Sequence, residues 1–509
     1  MPVIRVPVNT RRCQLLGLTG SAALAAGGVA VGAVPVREAL APQSGAAAIG
    51  LAAVYFGLVL LIAAWALLGR TIRGPEAPSP RTLLLTLALW AAPLLIAPPL
   101  FSRDVYSYLA QGAMVEAQID VYAHGPSRLG GPLTAEVAPI WQHTPTPYGP
   151  VFLGCAAAIA EFARSELSAG ILAMRAVALL GVALMVLCLP VLARHCGADP
   201  RTALWLGAVN PLVLLHLVGG AHNDAVMLGL LGAGLVAALG RWPVLGAALV
   251  TLAALVKAPA ALGLLAVALL WARRLDGGFP RLRAALATLG TAAAATAAAT
   301  ALAGTGYGWI AALDTPVSPQ NWSLTSSLGR MTGAVLRGLG SGLDEFAVPA
   351  WHLLGLAATA LAVLAFWKRH HLRRPVYALG LSLAAVAILG PAIRPWYVLW
   401  GLFLIAAAAP SGSVRLRRAS AVLSGVLALA VMPSGFAPDD NQLLIAVGGS
   451  TLGVVALWCA YKLTVRASRA ADKAPRPPRD SSTGDSSTGD SSTGVRRDAR
   501  DTRPLGSTA

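Results

Sequence analysis

The sequence predicts an all-α integral membrane protein, and three observations carry that prediction. Of 509 residues, 56% are hydrophobic and only 12% charged, with a mean hydropathy of +0.67, a balance foreign to a water-soluble globule. The apolar residues fall in runs of roughly 20, the length a helix needs to cross about 30 Å of hydrocarbon, and not in the ten-residue alternations of a membrane β-barrel. Lys and Arg collect in short segments between the runs, at Arg11–Arg12, Arg70–Arg81, Arg194–Arg201, Arg273–Arg283, Lys368–Arg374 and Arg415–Arg418. A lipid-exposed backbone must satisfy its own hydrogen bonds, so such runs can only be helices in a bundle.

In chain order, spans are expected near 14–34, 46–68 and 82–99, followed by a long polar segment, 101–148. Further spans are expected near 170–193, 202–218, 224–240, 284–303, 347–367, 375–390, 396–409, 418–432 and 441–461. The run from Trp242 to Trp271 is broken by Lys257 and Pro259 and reads as two short passes. The total is about 13 to 15 passes. The basic segments belong on the cytoplasmic side, which puts 101–148, 219–223, 304–346, 391–396 and 433–440 outside. Parity then requires the short run 149–163, which is followed by Arg164 and Glu166, to be re-entrant or to lie along the outer interface. The organisation is a cytoplasmic N-terminus (1–13), a polytopic domain (14–463) with an extracytoplasmic catalytic loop (101–148), and a cytoplasmic tail (464–509). The tail repeats GDSSTGDSSTGDSSTG, cannot bury a core, and is expected to be disordered. The N-terminal basic and apolar segment resembles a signal peptide, but its length favours a first anchor.

A net charge of +17 held in short loops and the tail points to topology and anionic lipid contact; with no aromatic-interleaved basic groove, no nucleic acid is expected as a partner. The five cysteines are scattered, without a CxxC pair, so neither a disulfide framework nor a zinc site follows.

Chemistry gathers in five outward clusters: Ser102-Arg103-Asp104, Gly220-Ala221-His222-Asn223-Asp224, Lys257-Ala258-Pro259, Gln320-Asn321-Trp322-Ser323 and Arg394-Pro395-Trp396-Tyr397. On a helix, Asp104, Tyr108 and Gln111 share one face, presenting a carboxylate, a phenol and an amide towards water. Charged groups at membrane depth cost roughly 2.5 to 3.5 kcal/mol each on insertion scales, so several on one side predict a shared polar cavity. Plainer readings exist: Asp104 and Asn223-Asp224 as helix caps, Lys257 snorkelling to headgroups, Arg394 with Trp396 and Tyr397 as a basic and aromatic belt.

The motifs Phe101-Ser-Arg-Asp-Val-Tyr-Ser-Tyr, Thr146-Pro-Tyr-Gly-Pro, Asn210-Pro, Gly220-Ala-His-Asn-Asp, Lys257-Ala-Pro and Arg394-Pro-Trp-Tyr, in that order, resemble the actinobacterial polyprenol-phosphate-mannose-dependent alpha-1,6-mannosyltransferases of the GT-C glycosyltransferase superfamily. The resemblance spans about residues 45–460. It implies a GT-C-type bundle and an inverting transferase of the plasma membrane with an extracytoplasmic active site. The implied donor is polyprenyl-phosphate-mannose, and the implied acceptor a mannoside or lipoglycan. The resemblance implies a catalytic acidic residue, a carboxylate, in the first outer loop, and it carries over to Asp104. Some relatives place a second acidic residue beside it, where this chain has Arg103. In this reading Asp104 is the general base, and Arg103, Lys257 and Arg394 hold the donor phosphate. Tyr108, His222, Asn223, Asp224, Trp322, Trp396 and Tyr397 contact substrate. No cofactor is expected; His222 and Asp224 are the ligands a divalent metal would have. The competing class is a flippase for a lipid-linked sugar, but no internal repeat of the transporter kind is visible.

Overall fold

The computed structural model describes residues 9–164, 166–314, 323–370 and 374–473, and the architecture that follows is that of the unit Pro7–Tyr461. Among the described residues every regular element is helical. Helices α1 (Thr10–Val31), α2 (Gly45–Thr71) and α3 (Pro80–Ile96) each begin at a short polar residue, Asn9, Ser44 and Ser79, whose side chain accepts an N–H of the first turn. A polar passage then carries α4 (Asp104–Glu116), α5 (Gly131–Glu136) and α6 (Pro139–Gln142) before α7 (Pro150–Ala163) and the long α8 (Leu167–His195). Next come α9 (Pro200–Gly207), a π-helix (Val213–Gly219), α10 (Asp224–Leu239), α11 (Pro243–Ala254), α12 (Gly263–Ala272) and α13 (Pro280–Ala303). The chain closes with α14 (Leu324–Gly338), α15 (Ala347–His370), α16 (Pro375–Leu389), α17 (Val398–Ala408), α18 (Val414–Ala428) and α19 (Asp440–Lys473).

Six helical segments among the described residues are long and apolar enough to cross a membrane, and six further apolar helices have 10–17 residues. The chain is a multi-pass helical membrane protein. The expected pass at 202–218 is not one helix: α9 stops at Gly207, and Pro211, which has no N–H to give, precedes the π-helix. Asn210 bridges the break, donating to Leu206 O and Ser424 Oγ and accepting from the Leu212 N–H. The π-helix then meets α10 at a bend of 106°. At that bend Ala221 sits at φ 51°, and Phe101, ahead of α4, at φ 65°; both are conformations that side chains disfavour. Buried Arg175 of α8 donates to the carbonyls of Leu95, Ala97 and Gly219, tying the end of α3 and the bend to one guanidinium. The run Trp242–Trp271 breaks after Ala254, and a 3-10 turn (Ala258–Leu262) led by Lys257 reaches α12. Helix α19 continues through residues expected to belong to the tail; from residue 474 onward the tail lies outside the described residues.

The helix α4 lies against α7, and the two come close at Gly112, where a Cβ would sit 2.2 Å from the Ala156 carbonyl oxygen. Gly112→Ala is expected to force α4 and α7 apart, at about 1 to 3 kcal/mol, the usual range for overpacking. The check is the thermal midpoint of the purified protein, which should fall.

Candidate active site

The first wall is α4. The Leu100 N–H donates to Gly219 O (3.4 Å) and the Phe101 N–H to Pro433 O (2.9 Å), which holds the strained turn that starts the helix. The Asp104 N–H donates to Ser102 Oγ (3.0 Å), so Ser102 and not the carboxylate caps this end. The face Asp104, Ser107, Tyr108 and Gln111 turns to the interior, not to open water as the sequence suggested: Asp104, Ser107 and Gln111 line an internal cavity, Tyr108 is buried behind it, and Gln111 Oε1 accepts from Thr146. The physical reason is that Phe152 of α7 and His222 and Asn223 of the bend before α10 pack on Tyr108 and close this side of α4 off from open water.

Behind Asp104 the second wall is the bend Gly220-Ala221-His222-Asn223-Asp224. His222 Nδ1 lies 3.4 Å from Asp104 Oδ2 and 3.3 Å from the Tyr108 hydroxyl, which is also 3.4 Å from Asn223 Oδ1. The His222 ring stacks on Trp396, with centroids 3.9 Å apart, while its buried Nε2 has no partner. These residues fix Asp104 from the rear. Asp224, fully buried, accepts from Lys257 Nζ at 2.8 Å through one oxygen and from the Trp400 indole through the other. Lys257 also lies 4.6 Å from the Tyr397 ring centroid and 5.5 Å from that of Trp400.

In front of Asp104 opens a cavity of about 640 Å³. Its polar lining includes Asp104, Lys257 and Arg394, its flat faces are Trp141, Tyr148, Tyr397 and Trp400, and Leu262, Leu265, Leu356 and Val386 supply an apolar side. Arg394 stands over the Trp141 ring at 5.5 Å, and no hydrogen bond or ion pair engages its guanidinium among the described residues. The Asp104 side chain is 22% exposed, and burial pushes its carboxyl above the usual carboxylate range against the pull of Arg394 and Lys257. The site thus holds a poised carboxylate, an unpaired guanidinium and an ammonium around one space.

The expected residues separate into groups. Asp104, Lys257, Arg394 and Tyr397 line the cavity. Tyr108, His222, Asn223, Asp224 and Trp396 are buried and do not line it; His222 and Asp224 touch Asp104 and Lys257, which do. Trp322, with Gln320 and Asn321, lies outside the described residues. Arg103 needs correction as a phosphate ligand. Its guanidinium is 4% exposed and donates to Glu136 Oε2 (2.8 Å), Glu136 O and Val34 O, away from the cavity. A lone Glu in a polar loop gave no sequence signal of that pairing. Trp141, Tyr148 and Trp400 were also missed; Trp400 follows Trp396 by one helical turn, a spacing that could have marked it. Among the described residues no group of three or more His, Cys, Asp or Glu is arranged to hold a metal ion.

The family described as "Alpha-(1->6)-mannopyranosyltransferase, N-terminal domain" matches residues 14–273, and "MptB C-terminal domain" matches residues 325–460. The chain belongs to the alpha-(1->6)-mannopyranosyltransferase family. A probable alpha-(1->6)-mannopyranosyltransferase of Mycolicibacterium smegmatis is 32% identical over 92% of each chain. Alpha-(1->6)-mannopyranosyltransferase A of Mycobacterium tuberculosis is 36% identical over 84% of each chain. Alpha-(1->6)-mannopyranosyltransferase B of Corynebacterium glutamicum is 31% identical over 79% of this chain and 72% of its own. The protein is a glycosyltransferase, and the transporter reading receives no support. Asp104, the 220–224 bend and Lys257 fall in the N-terminal match and Arg394–Trp400 in the C-terminal one, so the two matched regions build the cavity together.

The two arginines should respond oppositely. Glu136→Ala strands the buried Arg103 charge and is expected to cost about 3 to 5 kcal/mol, the range for breaking a buried pair. Arg394→Gln breaks no hydrogen bond or ion pair and removes only the stacking over Trp141, so it should cost no more than about 1 kcal/mol. Thermal unfolding of both variants against the parent checks this.

Proposed function

We propose that this protein transfers a mannosyl residue, with inversion, from polyprenyl-phosphate-mannose to a hydroxyl of a mannoside or lipoglycan acceptor, making an alpha-1,6 linkage on the extracytoplasmic face of the plasma membrane. The observation that carries this reading is one cavity shared by a half-buried carboxylate and two cations, with an apolar side. The acceptor oxygen attacks the anomeric carbon while the bond from that carbon to the phosphate oxygen breaks. The acceptor proton passes to Asp104, and the leaving group departs as polyprenyl phosphate, its growing charge met by Arg394 bidentately and by Lys257 as a point charge. Trp141, Tyr148 and Tyr397 offer flat faces to the sugar, and the wall of Leu262, Leu265, Leu356 and Val386 suits an isoprenoid chain. The linkage and the sugar follow the names of the relatives. The donor fits the setting: nucleotide sugars are not supplied outside the cytoplasm, whereas a lipid phosphate delivers its sugar at the interface. About 13 to 15 passes, counting short and broken ones, remain the topology that goes with this reading.

Asp104→Asn keeps the side-chain volume but cannot take the proton. Transfer from polyprenyl-phosphate-mannose in membranes should fall by at least about a hundredfold at normal protein level, with donor still bound. In the parent, kcat/KM should drop as pH falls through the Asp104 pKa, because only the carboxylate is a base; burial raises that pKa, so the loss sets in at higher pH than for an ordinary aspartate. A fully active Asn variant would remove Asp104 from the mechanism. The face is tested separately. In a chain freed of its five cysteines, a cysteine at exposed Gln118 should react with an impermeant thiol reagent in intact cells, and one at exposed Asp276 should not.

A further inference from the structure

A second cavity, of about 650 Å³, lies between the end of α2, the start of α9 and α18. Its lining shares no residue with the first. Pro433 meets Phe101 beside Asp104, and the neighbouring Val431 and Met432 contact the Tyr55 hydroxyl of α2. Arg70, in the last turn of α2, stands roughly 22 Å of rise beyond Tyr55 at about 1.5 Å per residue, so the basic rim of the second cavity is set apart from Asp104 while its apolar walls run along α18.

Its floor is rigid. Trp65 and Trp205 stack with centroids 5.0 Å apart, and each indole N–H donates to the other's backbone carbonyl, at 3.0 and 2.9 Å. Gly69 leaves room for the pair, since a Cβ there would stand 2.3 Å from the Trp205 ring. The walls are apolar, formed by Ile62 and Ala66 on α2 and by Val422, Val426 and Leu429 along α18 and its end, the last three exposed. The rim is cationic, with Arg70, Arg73, Arg417 and Arg418 and no acidic residue in the lining. No ion pair engages any of the four among the described residues. Arg73 leans over the Trp205 ring at 6.0 Å. Arg417 gives one Nη to the carbonyls of Pro410 and Ser411, yet its buried Nε has no partner.

We propose that this cleft binds an anionic phospholipid of the surrounding bilayer, its phosphate under the arginines and an acyl chain along the walls. Four arginines with no ion pair among the described residues, one of them with a buried donor left open, suit an anion with several acceptor oxygens; the phosphate of a headgroup meets the guanidinium geometry. A free phosphate would leave the apolar walls unfilled. The position fits as well, because the rim terminates an apolar span, at the level where headgroups lie.

Native mass spectrometry of the purified full chain tests this, using phosphatidylglycerol, phosphatidylcholine, polyprenyl monophosphate and inorganic phosphate as probes. One phosphatidylglycerol should be retained preferentially over phosphatidylcholine, and excess inorganic phosphate should not displace it. Arg73→Gln, Arg417→Gln and Arg418→Gln should each weaken retention about fivefold, the effect of one basic residue at an anionic lipid surface. Val422→Trp, which fills the cleft and leaves the charges in place, should abolish retention at an unchanged thermal midpoint. If Arg417→Gln unfolds because its carbonyl contacts are lost, the other three variants decide. Equal retention of phosphatidylcholine, displacement by phosphate, preference for polyprenyl monophosphate, or full retention in the Trp variant would each overturn the proposal.

Discussion

The buried pair of Asp224 and Lys257, 2.8 Å apart, is the interaction on which the rest of the site depends. Asp224 opens α10 immediately after a 106° bend, and Lys257 interrupts what would otherwise be a continuous apolar helix. Neither break is favourable alone: each exposes backbone groups, and each places a charge where water is scarce. Together they neutralise one another, and the Trp400 indole supplies the second donor that a buried carboxylate needs. Three segments distant in sequence are thereby locked at one point, and the cavity forms against them.

The charged residues of this region divide by whether their hydrogen-bonding capacity is already engaged. Arg103 and Arg175 hold backbone carbonyls and, for Arg103, a glutamate; both act as internal struts for the loops around Phe101 and Gly219. Arg394 and Asp104 have capacity left, and both face the cavity. The same criterion distinguishes the second cleft, where arginines without acidic partners among the described residues border an apolar groove. Buried polar groups are costly unless satisfied, so a cluster left partly unsatisfied marks a place where a ligand completes the structure.

Strain is concentrated in the same neighbourhood. Phe101 and Ala221, both at positive φ, flank the two segments that carry Asp104 and His222. The backbone hydrogen bonds from Leu100 to Gly219 and from Phe101 to Pro433 hold these turns against it. Rigid placement of a carboxylate in front of a stacked His222–Trp396 pair is what a positioned base requires, since proton transfer falls off steeply with misalignment.

Composition and the 20-residue period of the apolar runs determined by themselves that this is a helical membrane protein, because only helices satisfy a backbone in lipid. Local spacing also determined that Asp104, Tyr108 and Gln111 share a face and that Lys257-Ala-Pro interrupts a helix, since both depend only on neighbours within two turns. The tertiary structure decided everything that depends on residues far apart in the chain. It turned the Asp104 face inward, gave Arg103 to Glu136, buried His222 behind the carboxylate instead of beside the cavity, and brought Trp141, Tyr148 and Trp400 to the lining. Such contacts carry no periodic signal. Asp224 and Trp400 lie 176 residues apart, and only the packing of α10 against α17 makes them partners.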